Sequence, residues 1–428
     1  MNYQESLDYL YGLQKFGIKL GLENIRTFLS RLDHPERRYR SILVAGTNGK
    51  GSIASSLAEM LHRAGYRTGL YTSPHLHSFS ERVRVDGTLI PAARVAGLVA
   101  EMQSNATGLP LTFFEFTTAL ALRYFAEQQV DVAVLEVGLG GRLDATNAVE
   151  PVLSVIAPIA ADHQQHLGES LEEIAREKAG IMRSGVKVVS AAQEPAVMQT
   201  LAAEAKRVGA EIIFCGADFG IVPAGEGFEY RGLNEKLNGL RPAIPGRHQF
   251  GNMATALAAA ESLRATGFKL DAAALRDGVE NFSWPGRLEW AADRRVLLDG
   301  AHNGAGAQVL AAYLAEQGLD NVHWIVGLKA DKNREEILAP ILPHAAAVYC
   351  VEPPVEAAVP AALLEQTAVR AGVAAQVYPS LAEALRQARA AAGSAGVVLV
   401  AGSLFLVAAV REMILTEEGC PCGTSVCI

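Results

Sequence analysis

The sequence predicts an α/β protein of two domains whose sheets are mostly parallel and covered by helices. Three observations lead there. Short apolar runs rich in Val, Ile and Leu recur at 42–45, 130–137, 152–157, 186–190, 296–299, 323–327 and 397–401, the pattern of strands buried on both faces. Stretches of helical period lie between them, as at 53–64, where Ile53, Leu57, Met60 and Leu61 share one face. The length of 428 residues is close to three times the ~150 residues of an ordinary domain.

The break between domains falls where Ser283, Trp284, Pro285, Gly286 and Arg287 are followed by the charged Asp293, Arg294 and Arg295, because Pro-Gly and charge interrupt the apolar pattern. The expected division is therefore a first domain over 1–287, a linker over 288–295 and a second, smaller domain over 296–428, with a flexible tail from about 417. The run 397–410 is broken by Gly402 and Ser403 and is shorter than the ~18 apolar residues of a membrane span. It reads as a strand entering a helix. Five cysteines divide into Cys215 and Cys350, expected in cores, and Cys420, Cys422 and Cys427 in the tail, where no partner cluster completes a metal site.

With 38 Lys+Arg against 46 Asp+Glu the net charge is −8, and no basic run is long enough to track a phosphate backbone. Nucleic acid is not expected as a partner, and neither is a membrane. The start at Met1 shows no basic, then apolar, leader pattern, so a cytoplasmic protein is expected.

The chemistry is concentrated in a loop. After the run 42–45 come Gly46, Thr47, Asn48, Gly49, Lys50, Gly51 and Ser52, then the amphipathic helix. Strand, glycine-rich loop and helix turn backbone N–H groups toward phosphate oxygens, with Lys50 as a point charge on the β/γ-phosphates of a nucleoside triphosphate. The Walker pattern is imperfect: Val44 stands at its first glycine, and Gly51 follows the lysine where Ser or Thr is expected. A second run, 130–136, ends in Glu136. A carboxylate at the end of a parallel strand faces the ligand crevice and suits Mg²⁺, although a merely solvated strand end has the same look. His75, His163 and His166 each lie just beyond a short predicted strand, where ligand duty and a structural role are both open.

In this order the motifs resemble one family, the folylpolyglutamate synthase and dihydrofolate synthase enzymes of the Mur-type amide ligases. The resemblance runs through Lys19, Leu20, Gly21 and Leu22; Gly46 to Ser52; Thr72 to Leu76; Phe113, Phe114, Glu115 and Phe116; Glu136 to Asn147; Asp162 and His163; Glu177 to Ile181; Pro245 to Gln249 with Asn252; Pro285 to Arg287; Asp299 to Asn303; and Gly402 to Leu404. It implies a P-loop-like first domain, a Rossmann-like second domain and catalysis in the cleft between them. The implied reaction is ATP-dependent ligation of L-glutamate to dihydropteroate and to reduced folates through an acyl phosphate. By the same resemblance Lys50 and its loop hold ATP together with Asn252, Arg287 and Asp299. Ser73, Glu136 and His163 are magnesium ligands, and Lys178, once carbamylated, serves a second magnesium. His302 approaches the nucleotide or the acyl phosphate. The pterin side is Lys19 to Leu22, Phe113 to Phe116, and Leu143, Asp144 and Ala145, although core packing is an equal alternative for two of the phenylalanines, and read alone Lys178 is a helix-surface lysine. Gly304, Met253 and Ser170 stand where the family usually has proline, alanine and threonine; none removes a group the chemistry needs. A monomer is expected.

Three other functions share all or part of these motifs. A single-activity folylpolyglutamate synthase needs the same motifs. A cell-wall Mur ligase would place a further domain before the phosphate loop, which begins 46 residues in. A nucleotide switch that orders a loop around the γ-phosphate leaves Lys178, Arg287 and Asp299 without a purpose.

Overall fold

The computed structural model describes residues 1–17, 19–291 and 295–417. Its first sheet contains β1 (Arg40–Ala45), β2 (Thr68–Tyr71), β3 (Val83–Val85), β4 (Thr88–Leu89), β5 (Val132–Glu136), β6 (Pro151–Ile156), β7 (Lys187–Ser190) and β8 (Glu211–Phe214), in the order β4-β3-β2-β5-β1-β6-β7-β8. Six strands are parallel, and β3 and β4 add an antiparallel edge. Alternation along β1 explains why both faces are covered. Leu43 and Ala45 enter the core shared with helices Glu23–Arg31 and Phe113–Glu127, while Ile42 and Val44 enter the core shared with helices Lys50–Arg63 and His248–Leu263.

The second sheet contains β12 (Glu289–Ala291), β13 (Val296–Asp299), β14 (Val322–Val326), β15 (Ala345–Cys350), β16 (Ala375–Val377) and β17 (Val398–Ala401), in the order β12-β13-β17-β14-β15-β16. All pairs are parallel except β12 with β13. Its helices also cover both faces: Leu297 and Leu399 point into one core and Leu298 and Val400 into the other.

Three features depart from the sequence reading. Residues 289–291, expected in a linker, are the edge strand β12, and Leu288 N–H, just before it, donates to Asp299 at 2.9 Å. A three-residue strand containing Glu289 and Trp290 is too short and too polar to show as an apolar run. Between the sheets in sequence lies an antiparallel sheet of β9 (Gly220–Ala224), β10 (Gly227–Arg231) and β11 (Lys236–Leu240). Its turn at 233–235 is fixed by buried Glu261, which accepts from Leu233, Asn234 and Glu235 N–H and from Tyr230 Oη. The last helix, Leu404–Glu417, reaches the first residue of the expected tail; Cys420, Cys422 and Cys427 lie outside the described residues, as do 292–294 of the expected linker. Cys350 is buried and Cys215 half-buried. Among the described residues no helix is long and apolar enough to cross a membrane.

Candidate active site

The carboxyl ends of β1, β2, β5 and β6 and those of β13, β14 and β17 open onto one cleft of about 1500 Å³, the position expected of a ligand site in open α/β sheets. The loop after β1 is held from behind by the segment after β6. Thr47 and Asn48 N–H both donate to Pro158 O (2.9 and 3.2 Å), and Thr47 Oγ1 donates to Ala160 O at 3.0 Å. At Gly46, with φ +143°, a Cβ would come within 2.6 Å of Ala157 Cβ. Gly49, with φ +83°, starts the helix Lys50–Arg63, so its first N–H groups and the positive end of its dipole face the cleft. Lys50 Nζ donates to Thr47 O at 3.0 Å. Gly51, the departure from the Walker pattern, is accounted for by Trp284, whose ring fills the space a Cβ would need.

Glu136 ends β5 with 4% exposure, and one of its oxygens accepts Ser73 N–H at 3.0 Å. Burial pushes its carboxyl up, while Lys50, the Ser73 N–H, Arg287 and Arg82 pull it back. Lys178 is not on a helix surface: it is 4% exposed and its Nζ donates to Gly46 O at 2.7 Å, behind the phosphate loop. Burial, then the charge of Lys50, lowers its pKa to about 7. His163, at φ +51°, precedes the short helix Gln164–Leu167. Burial lowers it to about 4 against the pull of Asp162, so the ring is neutral. His75 is committed elsewhere, accepting Arg82 Nε–H at 2.7 Å.

The second domain supplies the facing wall. Asp299 ends β13 and accepts Leu288 and Ala301 N–H, each at 2.9 Å; burial raises its pKa and Arg287 opposes this. His302 Nδ1 bonds Gly300 O at 2.7 Å, leaving Nε2 3.7 Å from Asp162. Asn303 pairs its amide with that of Asn48 in the phosphate loop (3.2 and 3.1 Å) and also donates to Asp162 at 3.1 Å. Lys332 Nζ, from the loop after β14, meets Asp162 at 2.6 Å with both side chains about nine-tenths buried. Burial raises the Asp162 carboxyl, but His163, Lys332 and His302 outweigh it and hold the group well below the usual carboxylate range. Asn252 is set by a chain: its Nδ2 donates to Gln249 Oε1 (2.9 Å), and Gln249 Nε2 donates to His248 Nε2 (2.8 Å).

The cleft therefore gathers Gly46 to Ser52, Ser73, Glu136, His163, Lys178, Asn252, Arg287, Asp299 and His302. Asp162, Asn303, Lys332 and Trp284 were not singled out from sequence as site residues. Asp162 and Asn303 stood inside recognised motifs, but the position of Lys332 after a strand was the one signal it gave.

The pterin-side segments do not line this cleft. Two of them do meet, since Gly21 N–H reaches Leu143 O at 3.4 Å; Lys19 and Leu20 are exposed and Leu22 half-buried. Phe113 stacks on Tyr11 at 5.7 Å beneath Arg82, and Phe114 packs beside Tyr71. At four of these positions the side chain is engaged within the chain. Phe116 is fully buried against Tyr9 and Phe28, and Ala145 is buried. The carboxylates of Glu115 and Asp144 are taken by the chain itself: Glu115 caps its own helix through Thr112, and Asp144 accepts from Leu139 and Thr146.

The Mur ligase middle domain model matches residues 44–260, and the Mur ligase glutamate ligase domain model matches 286–404. The chain is 37% identical over 411 residues to the Escherichia coli dihydrofolate synthase/folylpolyglutamate synthase, covering 95% of this chain and 94% of that protein. The chain belongs to this family. Another member, a probable bifunctional folylpolyglutamate synthase/dihydropteroate synthase of Haloferax volcanii, is 37% identical over 425 residues, and the chain spans 96% of its own length and 50% of that protein's. Among solved members, E. coli FolC in complex with DHPP and ADP superposes with a TM-score of 0.88 at 34% identity over 96% of this chain and 98% of that one. The Yersinia pestis bifunctional folylpolyglutamate synthase/dihydrofolate synthase complexed with AMPPNP and Mn ion gives 0.87 at 34% identity, over 96% and 98%. The two-domain Mur ligase fold of the family is the fold described above.

Proposed function

We propose that this chain is an ATP-dependent ligase that joins L-glutamate to dihydropteroate and to the γ-carboxylate of reduced folates. The observation that carries this reading is the convergence of the phosphate loop, Glu136 and Lys178 with Asp299, His302 and Asn303 of the second domain in one cleft.

The backbone N–H groups of 46–52 and Lys50 hold the triphosphate, and Asn252, Arg287 and Asp299 hold the rest of the nucleotide. An acceptor carboxylate oxygen attacks the γ-phosphorus and ADP departs. The neutral amine of glutamate then attacks the acyl carbon, phosphate leaves with its electron pair, and the amine gives up a proton. Charge on the phosphoryl group is what the site has to stabilise. Divalent cations fit the donors present: the Glu136 oxygen not bonded to Ser73 N–H makes no hydrogen bond among the described residues, and Ser73 and neutral His163 complete an oxygen and nitrogen set. Among the described residues no three His, Cys, Asp or Glu side chains are arranged to hold a metal ion by themselves, so a first magnesium would rest on this mixed set. When bound, such ions neutralise phosphate charge. A second would need a new anion, and Lys178 suits that need. With its pKa lowered to about 7, much of the amine is neutral near pH 7 and adds to CO₂, losing one proton and becoming a carbamate.

The test is phosphate release by purified protein with ATP, magnesium and glutamate, comparing dihydropteroate, tetrahydrofolate and no acceptor, with product masses read in parallel. Release with both acceptors, each product gaining one glutamyl unit, is expected. Release with one acceptor reduces the assignment to a single activity, and release with neither removes it.

A further inference from the structure

Arg84 lies on β3 opposite Leu70 of β2 and lines the cleft with Leu89, Phe405 and Leu415. Two other cations of the cleft are neutralised within the chain, Arg411 by Glu289 at 2.9 Å and Lys332 by Asp162 at 2.6 Å. Arg84 makes no ion pair among the described residues. Its one side-chain hydrogen bond is a long one, Nε–H to Glu81 O at 3.4 Å. Glu81 lies close, but its carboxylate is already taken by the N–H groups of Leu76 (2.7 Å), His77 (3.0 Å) and Ser78 (2.9 Å). Glu81 compensates the guanidinium by charge alone, so the half-buried fork has given up hydration without a bonded carboxylate in return, a cost that an anionic ligand would offset. Its planar fork matches a carboxylate at two points.

Its place in the sheet separates it from the triphosphate. β3 is three strands from β1, with β2 and β5 between them, or roughly 14 Å at the usual strand spacing. We infer that Arg84 is a carboxylate anchor of the cleft, gripping the α-carboxylate of a glutamyl group. This rests on the ligase reading above. The carboxylate has two sources, free L-glutamate and the glutamyl residue already on a folate acceptor, and dihydropteroate carries no such residue.

The experiment compares wild type, Arg84→Met and Arg84→Lys with each acceptor, measuring kcat and KM for acceptor, glutamate and ATP. Loss of the fork should raise one KM on the order of tenfold to a hundredfold, with Arg84→Lys in between and the KM for ATP unmoved. A rise for tetrahydrofolate, with the dihydropteroate reaction unchanged, identifies the acceptor's glutamyl residue. A rise for glutamate with both acceptors identifies the free amino acid. If every KM stays within about twofold, or kcat alone falls in both reactions, the anchor is overturned while the ligase stands. If wild type turns over neither acceptor, the ligase reading fails and the anchor with it.

Discussion

Among the described residues the Lys50 side chain makes a single hydrogen bond, to Thr47 O in its own loop. Lys50→Ala should therefore leave the unfolding transition close to wild type while lowering kcat for phosphate release about 10²-fold or more; a loss of activity that tracks a loss of fold would remove the phosphate-loop role. His248 bears on pH. Burial, then Arg287, lowers its pKa to about 4, and its Nε2 accepts from Gln249 Nε2, which a protonated ring cannot do. The folded pKa lies below the unfolded value of about 6.5, so below pH 6.5 the unfolded chain binds more protons. The contribution of His248 is present above pH 6.5 and is lost as pH falls through 4. His248→Gln, which offers an acceptor oxygen without titrating, should lose less stability than wild type between pH 6.5 and 4 in denaturant titrations. Equal losses would mean the chain to Asn252 is not pH-sensitive.

Among the elements, the phosphate-loop helix shows a local preference overruled by packing. Gly to Ala inside a helix ordinarily stabilises by about 1 kcal/mol, but Gly51 lies against Trp284 with no room for a Cβ. Gly51→Ala should instead destabilise by about 1–3 kcal/mol as the ring or the helix is displaced, and Trp284→Leu in the same chain should recover part of it. Chemical denaturation of the single and double variants measures both; a stabilised Gly51→Ala would show that the ring moves freely. The same helix shows what the sequence makes legible. Its period and the run before it are local signals, as are the buried parallel strands; the run 296–299 coincides with β13. The sheet β9 to β11 gave no such signal, because Val222 and Lys236 face solvent and Asn238 and Gly239 interrupt its last strand. Phe116 is ambiguous in the sequence for a physical reason. An aromatic residue near a helix start serves a ligand or a core equally well, and which it does depends on Phe28 and Tyr9, roughly a hundred positions away.

At the scale of the molecule the two sheets meet through a few polar contacts that the sequence could not pair, Asp162 with Lys332 being separated by 170 positions. Asp162 is the centre of that contact. It faces Lys332, Asn303 and His302 from the second domain, while Asn303 also reaches Asn48 in the phosphate loop. The pair thus bridges the two domains beside the site, and an opening of the cleft would break it. Because both partners are about nine-tenths buried, removing Lys332 strips Asp162 of its ion-pair partner at a cost of about 3–5 kcal/mol, while removing Asp162 costs less because Lys332 keeps Asp331 at 3.3 Å. That cost falls on the closed arrangement alone, so the first domain should keep its nucleotide loop. Asp162→Ala and Lys332→Ala should each lower kcat severely, leave ATP binding within a few-fold and increase the radius of gyration of the ATP-bound protein in solution scattering. The double variant should be less impaired than the product of the two single effects, since neither charge is then left alone. Independent effects that simply multiply, with scattering unchanged, would show that the pair does not govern closure.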